Sequence, residues 1–313
     1  MNNTYPVIII GAGPAGITAA IYLKRANVPV KILDKGAPGG KLNITQAVEN
    51  YPGFTTISGP DLAFKMFEQV RENDIEIEYG EVVDIAKNED GTFNVTTIDE
   101  VFNTHFAIVA TGTTERKLKI PGEARYTSKG VSYCAVCDGA LYKDHEIAVI
   151  GGGNSALEET LFLAKIVKKI YLIHRRDEFR SDEELTERVK ATENVELVLN
   201  TIPVEVLGDG TKVTGLNVKN ILTGEDRTLE VAAVFPFVGA TAQSDMLKNF
   251  DVRNERGYAL VNKNMETSVE GLFAVGDINE KDLRQIVTAQ SDGAIAAITV
   301  SKRLRALNRN KAK

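Results

Sequence analysis

A glycine-rich pattern occurs twice in this chain, each time between a short apolar strand and an apolar helix. The first copy follows Val7–Ile10 as Gly11-Ala-Gly-Pro-Ala-Gly16, and the second follows Ile147–Ile150 as Gly151-Gly-Gly-Asn-Ser-Ala156. A second apolar strand comes after each helix, so both copies read as a β-α-β unit. A repeat of this kind organises a fold before any local feature does. The pattern predicts an α/β protein with two Rossmann-like dinucleotide-binding domains.

The first copy has the residue types that a bound dinucleotide requires. Gly11 permits a tight turn, Gly13 lets the backbone approach a pyrophosphate, and Gly16 lets the helix pack on the strand. Asp34 ends the second strand, where a carboxylate can accept a hydrogen bond from a ribose hydroxyl. The residues predicted to hold this dinucleotide are Gly11, Gly13, Pro14, Ala15, Gly16 and Asp34.

The second copy differs at the end of its second strand, where His174-Arg175-Arg176 stands in place of an acid and Arg180 follows. Cations at this position suit a ribose 2′-phosphate, which favours NADP over NAD. The alternative is a solvated basic turn without a ligand. The residues predicted to hold the second dinucleotide are Gly151, Gly153, Asn154, Ser155, His174, Arg175, Arg176 and Arg180.

The chain has two cysteines, Cys134 and Cys137, in one Cys-x-x-Cys. A disulfide across so short a loop removes little chain entropy, and a zinc site needs about four ligands, so no metal site is predicted. The pair is therefore interpreted as redox-active, with the adjacent Asp138 as proton donor and acceptor. A disulfide does not accept hydride efficiently, and a flavin between the nucleotide and the dithiol solves that problem. We expect FAD in the first unit and NADPH in the second.

The charge balance argues against polyanionic partners. The sequence has 37 basic and 43 acidic side chains, a formal net charge of -6, which works against binding of nucleic acid or anionic lipid. The uncharged stretch Tyr5–Leu23 is explained by the first β-α unit better than by a membrane span. Because no basic segment precedes it, no signal peptide is expected and the predicted location is cytoplasmic.

The region after the second unit repeats the theme of an apolar strand that enters a glycine. Leu272–Val275 is predicted as a strand that enters Gly276-Asp277, and a helix is expected from about Gln285 to Leu304. Earlier in the chain, Phe106–Val109 is predicted as a strand that enters Ala110-Thr-Gly112.

Taken together, these residues resemble the low-molecular-weight, bacterial-type thioredoxin reductases, and the similarity spans nearly the whole chain. The specific signal is a Cys pair just before the second nucleotide motif, since the related large disulfide reductases have theirs near the first. The matching stretches include Gly39–Leu42, Ala110–Gly112, Ser132–Gly139, His174–Arg180, Arg284–Gln285 and Asp292–Ala294.

The resemblance implies a discontinuous FAD domain, residues 1–116 and 245–313, and an inserted NADPH domain, residues 117–244, that has the dithiol. It also implies a homodimer. By the same resemblance, Asp277 bonds the flavin ribityl chain, and Asn50 lies near the isoalloxazine. The further cofactor residues expected in the FAD domain are Gly40, Lys41, Leu42, Thr111, Gly112, Gly276, Arg284 and Gln285.

The resemblance also implies an order of events. Cys137 faces the flavin and receives its electrons, while Cys134 attacks the disulfide of thioredoxin. Because the flavin cannot meet both the nicotinamide and the Cys pair on one face, the family rotates one domain against the other. The linkers are expected near Lys117–Pro121 and Gly239–Asp245.

Several positions depart from the family pattern. Lys41 stands where Gln is usual, Asn154 replaces a common Asp, and Ser181 replaces a common Ala. Gly239-Ala-Thr-Ala-Gln243 differs from Gly-x-x-Pro-Asn, and Gln290-Ser291 replaces Ala-Gly. We expect these changes to alter the flavin environment, NADPH affinity and the second linker.

The sequence therefore predicts an NADPH-dependent, FAD-containing thioredoxin-disulfide reductase. One alternative is the same fold with another redox partner, either a ferredoxin-dependent reductase or a dithiol oxidase; the arginine cluster argues against both. The other is a nucleotide-binding redox sensor without turnover, which has no evident need for two dinucleotide sites.

Overall fold

The computed structural model describes residues 4–45, 48 and 50–311, without the side chains of residues 136, 137, 308, 310 and 311. The strands in chain order are β1 (Thr4–Ile10), β2 (Val30–Asp34), β3 (Glu76–Tyr79), β4 (Val82–Lys87), β5 (Phe93–Thr97), β6 (Val101–Val109), β7 (Thr113–Glu115), β8 (Glu146–Gly151), β9 (Lys169–Ile173), β10 (Val195–Val198), β11 (Thr201–Gly208), β12 (Val213–Asn220), β13 (Asp226–Leu229), β14 (Ala233–Phe237), β15 (Ala240–Ala242) and β16 (Leu272–Ala274). The α-helices are α1 (Pro14–Arg25), α2 (Gly59–Glu72), α3 (Glu123–Tyr126), α4 (Ala135–Asp138), α5 (Asn154–Ala164), α6 (Glu183–Lys190) and α7 (Ile286–Lys311).

The chain folds into two compact units, and the second interrupts the first. Unit 1 comprises Met1–Thr114 and Thr241–Lys313, and unit 2 comprises Glu115–Ala240. The boundaries expected from the sequence lie after residues 116 and 244. Both units are α/β with parallel sheets, as the repeated glycine-rich pattern predicts.

The sheet of unit 1 has the order β3-β2-β1-β6-β5-β4, and β16 also pairs with β6. β6 has different partners along its length. Its first half pairs antiparallel with β5, and its second half pairs parallel with β16, in the register Leu272↔Ala107. The strands β3, β2, β1, β6 and β16 are therefore parallel neighbours whose carboxyl ends share one edge.

Alternate residues of these strands point to opposite faces of the sheet and belong to different cores. Ile9, Ile32 and Ile108 pack with α1, α2 and α7. Ile8, Leu33 and Ala107 pack with the antiparallel strands and with the segment that leads into β16. Because both faces of the parallel strands are covered, β1 is a nearly continuous apolar run.

Unit 2 has a four-stranded parallel sheet, β10-β9-β8-β14, between two layers. Ile147, Val149 and Leu172 face α5 and α6. On the other side, Ala148, Ile150 and Ile173 share a core with the antiparallel sheet β11-β12-β13. This arrangement leaves the carboxyl ends of β8 and β9 free to present the second glycine-rich turn and the basic loop.

The chain leaves unit 1 in β7 and returns in β15, and these two strands pair. At the unit 1 end of this crossing, the Thr111 hydroxyl donates to Gln243 O at 2.6 Å, and the Gln243 amide donates to Thr111 O at 2.9 Å. At the unit 2 end, Arg116 N–H donates to Gly239 O at 2.9 Å. Gln243, one of the departures from the family pattern, thus ties the two crossings together within unit 1.

Among the helices of the described residues, none is long and apolar enough to cross a membrane. α1 follows β1 as the first β-α unit predicts and accounts for the uncharged stretch Tyr5–Leu23.

Candidate functional site

The first glycine-rich turn connects β1 to α1, and each of its three glycines is explained by a different feature of the local geometry. Gly11 has φ +108°, and a Cβ there would lie 2.5 Å from Ala110 O. A Cβ on Gly16 would collide with Gly11 O, so Gly16 is required for the helix to approach the strand. Gly13 is the N-cap of α1, and a Cβ there would meet no atom within 4 Å. The open approach to the helix N-terminus at Gly13 suits a phosphate.

Asp34 ends β2 beside this turn. Its Oδ2 accepts from Ala12 N–H at 2.5 Å, and its Oδ1 accepts from Gly36 N–H at 2.7 Å. These bonds fix the carboxylate against the glycine-rich turn. Each carboxylate oxygen has a further lone pair, which leaves capacity for a ribose hydroxyl.

The next loop closes over the turn. A Cβ on Gly40 would lie 3.4 Å from Gly13 Cα, so the short helix Gly40–Ile44 begins directly against the N-cap of α1. In this loop Leu42 is buried and Lys41 is exposed. Asn50 is brought to the start of α7, where its Nδ2 donates to Gln285 Oε1 at 3.0 Å. The structure thus brings together two residues, Asn50 and Gln285, that the resemblance places near the flavin.

Asp277 lies in the short helix that follows β16. Its Oδ1 is buried and has no hydrogen-bond partner among the described residues. Burial raises the pKa of this carboxyl, and the cations Lys281, Lys41 and Arg284 oppose that shift. An orphaned acceptor of this kind fits a ligand hydroxyl.

Arg284 supplies an orphaned donor in the same region. Its Nε is buried and has no hydrogen-bond partner among the described residues. Its Nη2 donates to Asn279 O at 3.3 Å, and its guanidinium lies 4.5 Å from the centroid of the Tyr258 ring. An unpaired acceptor and an unpaired donor at the carboxyl edge of the sheet match a cofactor that has both hydroxyl and carbonyl or phosphate groups.

The remaining residues predicted in unit 1 lie on the same edge of its sheet. Thr111 and Gly112 follow β6, and a Cβ on Gly112 would meet no atom within 4 Å. Gly276 follows β16, and a Cβ there would lie 2.9 Å from the Cβ of Ala15. Pro14 occupies the first turn of α1. The residues present therefore fit FAD, with the open glycines and the orphaned polar atoms on one edge.

The second glycine-rich turn connects β8 to α5. A Cβ on Gly151 would lie 2.5 Å from Phe237 O, whereas a Cβ on Gly153, the N-cap of α5, would meet no atom within 4 Å. Asn154 and Ser155 are exposed in the first turn of the helix. Asn154 exchanges two hydrogen bonds with Asp182, at 2.8 and 3.0 Å. This departure from the family pattern thus fixes the end of the basic loop to the turn.

The basic loop lies over this turn. Arg175, Arg176 and Arg180 are exposed, and Arg180 N–H donates to Gly152 O at 2.6 Å. His174 is only 9% exposed, so it is separated from the arginines by burial although it is their neighbour in sequence. Three exposed guanidinium groups beside an open helix N-terminus fit a ribose 2′-phosphate.

Cys134 precedes α4 and is disulfide-bonded. The side chain of Cys137, the other cysteine of the sequence, lies outside the described residues. Cys134 N–H donates to Ser132 Oγ at 3.2 Å, and Ser132 N–H donates to Val234 O at 3.1 Å. Asp138 ends α4, and its negative charge adds to burial in raising the pKa of Tyr142.

A buried carboxylate that the sequence analysis missed organises the segment before the cysteines. Glu123 is 4% exposed and accepts from the backbone N–H groups of Leu118 and Lys119 at 2.7 and 2.6 Å. It also accepts from the Tyr133 hydroxyl at 2.7 Å, and the Lys117 ammonium lies 3.3 Å from the centroid of the Tyr133 ring. The signal available in the sequence was an acid directly after Pro121-Gly122 at a helix start.

A second missed residue is Glu159 on α5. Burial raises the pKa of Glu159 to about 7, with smaller contributions from the negative charges of Glu158 and Glu115. The only signal in the sequence was an acidic pair, Glu158-Glu159, in a helix whose other residues are a mixture of apolar and neutral polar types.

Known proteins resemble this chain over nearly its whole length. Residues 5–293 match the family described as pyridine nucleotide-disulphide oxidoreductase. The thioredoxin reductase of Bacillus subtilis is 42% identical over 299 residues, which are 96% of this chain and 94% of that protein.

Solved structures of thioredoxin reductases match as well. The thioredoxin reductase of Lactococcus lactis matches with a TM-score of 0.83 and 41% sequence identity. The match covers 95% of this chain and 98% of the chain of that enzyme. The thioredoxin reductase of T. acidophilum matches with a TM-score of 0.81 and 36% sequence identity, over 96% of this chain and 99% of the chain of that enzyme.

Proposed function

Since the chain belongs to the pyridine nucleotide-disulphide oxidoreductase family, we propose that it is a thioredoxin reductase that transfers electrons from NADPH through FAD to thioredoxin. The observation that carries the proposal is the disulfide-bonded Cys134 in the same unit as the loop of Arg175, Arg176 and Arg180. One unit thus has the features for both the electron donor and the redox-active disulfide.

The residues of unit 1 hold FAD in this proposal. The N-terminus of α1 faces its pyrophosphate, Asp34 accepts from a ribose hydroxyl, and Asp277 accepts from the ribityl chain. Bound FAD supplies two-electron chemistry, which accepts a hydride and delivers an electron pair to a disulfide. Asn50 and Gln285, joined by their hydrogen bond, fix the loop near the ring system.

Reduction of the Cys134–Cys137 disulfide takes two electrons and two protons and yields two thiols. The Cys134 thiolate then attacks one sulfur of the thioredoxin disulfide, which breaks that bond and forms a mixed disulfide. Attack of the Cys137 thiolate on the Cys134 sulfur re-forms the internal disulfide and releases dithiol thioredoxin. In this proposal Asp138, which ends α4, holds and returns a proton for these steps.

Alternation between the two half-reactions requires movement of one domain against the other, in line with the family resemblance. The paired crossings β7 and β15 are the connection about which such a rotation occurs. Lys117–Pro121, beside the first crossing, is the segment whose backbone Glu123 holds in place.

The homodimer is part of the same proposal. Exposed apolar side chains occur on each of the three helices that cover one face of the unit 1 sheet: Tyr22 on α1, Phe64 on α2, and Val287, Ile295 and Ile298 on α7. The three residues of α7 lie within one stripe of the helix surface. An apolar face of this kind fits a second copy of the chain.

A cytoplasmic location is proposed because NADPH-driven disulfide reduction belongs to a reducing compartment.

The test is an anaerobic titration of the purified protein, followed by its visible spectrum. NADPH is expected to bleach the flavin, and oxidised thioredoxin is expected to restore the colour. In Cys134→Ser, NADPH still bleaches the flavin but thioredoxin no longer restores it. A flavin that stays oxidised with NADPH would contradict the proposed donor and favour a ferredoxin-dependent reductase or dithiol oxidase.

A further inference from the structure

His174 directly follows β9 and is the buried residue of a basic loop whose arginines are exposed. Its side chain is 9% exposed, whereas Arg175, Arg176 and Arg180 are exposed. A side chain that contacts a soluble phosphate needs to reach the surface from which that phosphate binds. The buried position of His174 therefore indicates that this side chain acts on the loop itself and not on the phosphate.

The imidazole ties two positions of the loop together. Its Nε2 lies 3.0 Å from Glu178 O, and its ring centroid lies 5.4 Å from that of Phe179. A carbonyl oxygen only accepts hydrogen bonds, so Nε2 has the hydrogen and donates it. This bond joins the two ends of the stretch that contains Arg175 and Arg176.

The other side of the imidazole rests on the glycine-rich turn. A Cβ on Gly152 would collide with Nδ1 and Cε1 of His174. The same glycine accepts from Arg180 N–H through its carbonyl at 2.6 Å. Gly152 thus admits the imidazole and anchors Arg180, and the missing side chain of Gly152 is explained by the histidine ring above it.

Electrostatics favour a neutral ring at this position. Burial lowers the pKa of His174 against the opposing hydrogen bond to Glu178, and the positive charges of Arg176, Arg175 and Arg180 lower it further. A neutral imidazole adds no cation to the phosphate site. Its contribution is geometric, through a donated hydrogen bond and contact with Gly152.

We propose that His174 is a positioning residue for recognition of the 2′-phosphate, because it fixes the loop of Arg175, Arg176 and Arg180 on the glycine-rich turn without touching the ligand. This inference rests on the proposed use of NADPH. Side chains whose backbone is ordered in advance lose less conformational entropy on binding. Loss of the tie therefore weakens the contribution of the 2′-phosphate and leaves the rest of nucleotide binding unchanged.

The test compares two non-reducing ligands that differ only in the 2′-phosphate, 2′,5′-ADP and 5′-AMP, by calorimetry on the full-length FAD-loaded protein. His174→Phe keeps a ring but loses the donor, whereas His174→Gln keeps a donor at a similar reach. His145→Phe is the matched control, since His145 is an exposed histidine of the same unit whose Nδ1 lies 2.7 Å from Lys143 O.

His174→Phe is expected to weaken the affinity for 2′,5′-ADP by about fivefold, the effect of one lost hydrogen bond. The affinity for 5′-AMP is expected to stay the same. His174→Gln recovers most of that loss, and His145→Phe changes neither ligand. Equal weakening of both ligands, or an unchanged ratio of the two affinities, would overturn the inference. A wild-type protein that does not prefer 2′,5′-ADP would instead contradict the proposed NADPH site, and that result is read before any variant is made.

A double-mutant cycle tests the contact with Gly152. Gly152→Ala alone displaces the ring and is expected to lower the preference for 2′,5′-ADP, as His174→Ala does. In the His174→Ala background the added methyl meets no ring, so Gly152→Ala causes little further loss. Losses that simply add would show that the two residues act independently and would overturn this part of the inference.

Discussion

Two buried polar atoms without partners in the described part of the chain lie in the proposed cofactor site of unit 1. Asp277 Oδ1 and Arg284 Nε are both buried without hydrogen-bond partners among the described residues. A buried acceptor left unpaired costs about 1–3 kcal/mol of stability. A bound group that donates to Asp277 removes this cost, so the proposed contact with FAD predicts that FAD binding and local stability are coupled at this residue.

Asp277→Ala is expected to weaken FAD binding by about 10–100-fold, the effect of a lost hydrogen bond to a charged group. The FAD content of the purified protein, read from its visible absorbance, and the Kd of the apoprotein for FAD are the measurements. Asp282→Ala is the control, because Asp282 is exposed in the loop that follows the short helix of Asp277. Equal FAD affinity in both variants would contradict the assignment of Asp277.

Glu159 gives a prediction about pH. Its pKa is about 7 in the folded protein, against a usual value of 4.5. The folded state therefore keeps a proton that the unfolded state has lost, and the stability contributed by this group falls as pH rises from 4.5 through 7. Glu159→Gln cannot lose a proton and escapes this fall.

The stability of Glu159→Gln relative to the wild type is expected to increase between about pH 5 and about pH 8, by up to about 3 kcal/mol. Urea denaturation across that range is the measurement. Glu187→Gln, at an exposed position in the same unit, should show no such trend. A pH-independent difference for Glu159→Gln would show that the residue titrates normally.

At the scale of elements, one carboxylate joins three points of the segment between β7 and α4. Glu123 accepts two backbone N–H groups of the preceding linker and the hydroxyl of Tyr133, which directly precedes Cys134. The position of the segment before Cys134 and the backbone conformation at Leu118 and Lys119 therefore both depend on Glu123.

Glu123→Gln places an amide group against N–H donors and weakens charge-assisted bonds, so a loss of at least about 2 kcal/mol in the stability of unit 2 is expected. The urea midpoint of unit 2 reports this loss, and the exposed Glu187→Gln serves again for comparison. A midpoint equal to that of the wild type would mean that the three bonds contribute little.

The local elements could be predicted from the sequence, and the long-range contacts could not. The expected strand Leu272–Val275 is β16 (Leu272–Ala274), and the expected helix from about Gln285 is α7, which begins at Ile286. These follow from periodicity and glycine turns within a short window. The bonds of Glu123 to Tyr133 and of Gln243 to Thr111 depend on how distant segments meet.

In the candidate site, too, the residues of a local motif could be predicted and the long-range contacts could not. Gly13 and Asp34 were predictable because the spacing of one β-α-β unit determines their positions. His174 lies beside the arginines in sequence, and only its burial against Gly152 separates its task from theirs. Burial of that kind depends on packing between β9 and the turn after β8, which a motif does not show.

At the scale of the whole molecule, the exposed apolar stripe of α7 predicts how two copies associate. Ile295→Glu combined with Ile298→Glu puts two charges into the proposed interface and is expected to yield a monomer in sedimentation experiments. Leu222→Glu, at an exposed apolar residue in the turn between β12 and β13, should leave the dimer intact. A double variant that remains dimeric would place the interface elsewhere.

The interruption of unit 1 by unit 2 has a consequence for synthesis on the ribosome. β16 must pair with the second half of β6, and α7 must cover α1, yet both follow all of unit 2 in the chain and are therefore made after it. Until then the edge of β6 at Ala107 and the apolar surface of α1 are uncovered and open to wrong partners. The inserted unit is thus complete while its host still waits for its last strand, and the nascent chain is most exposed to aggregation during that interval.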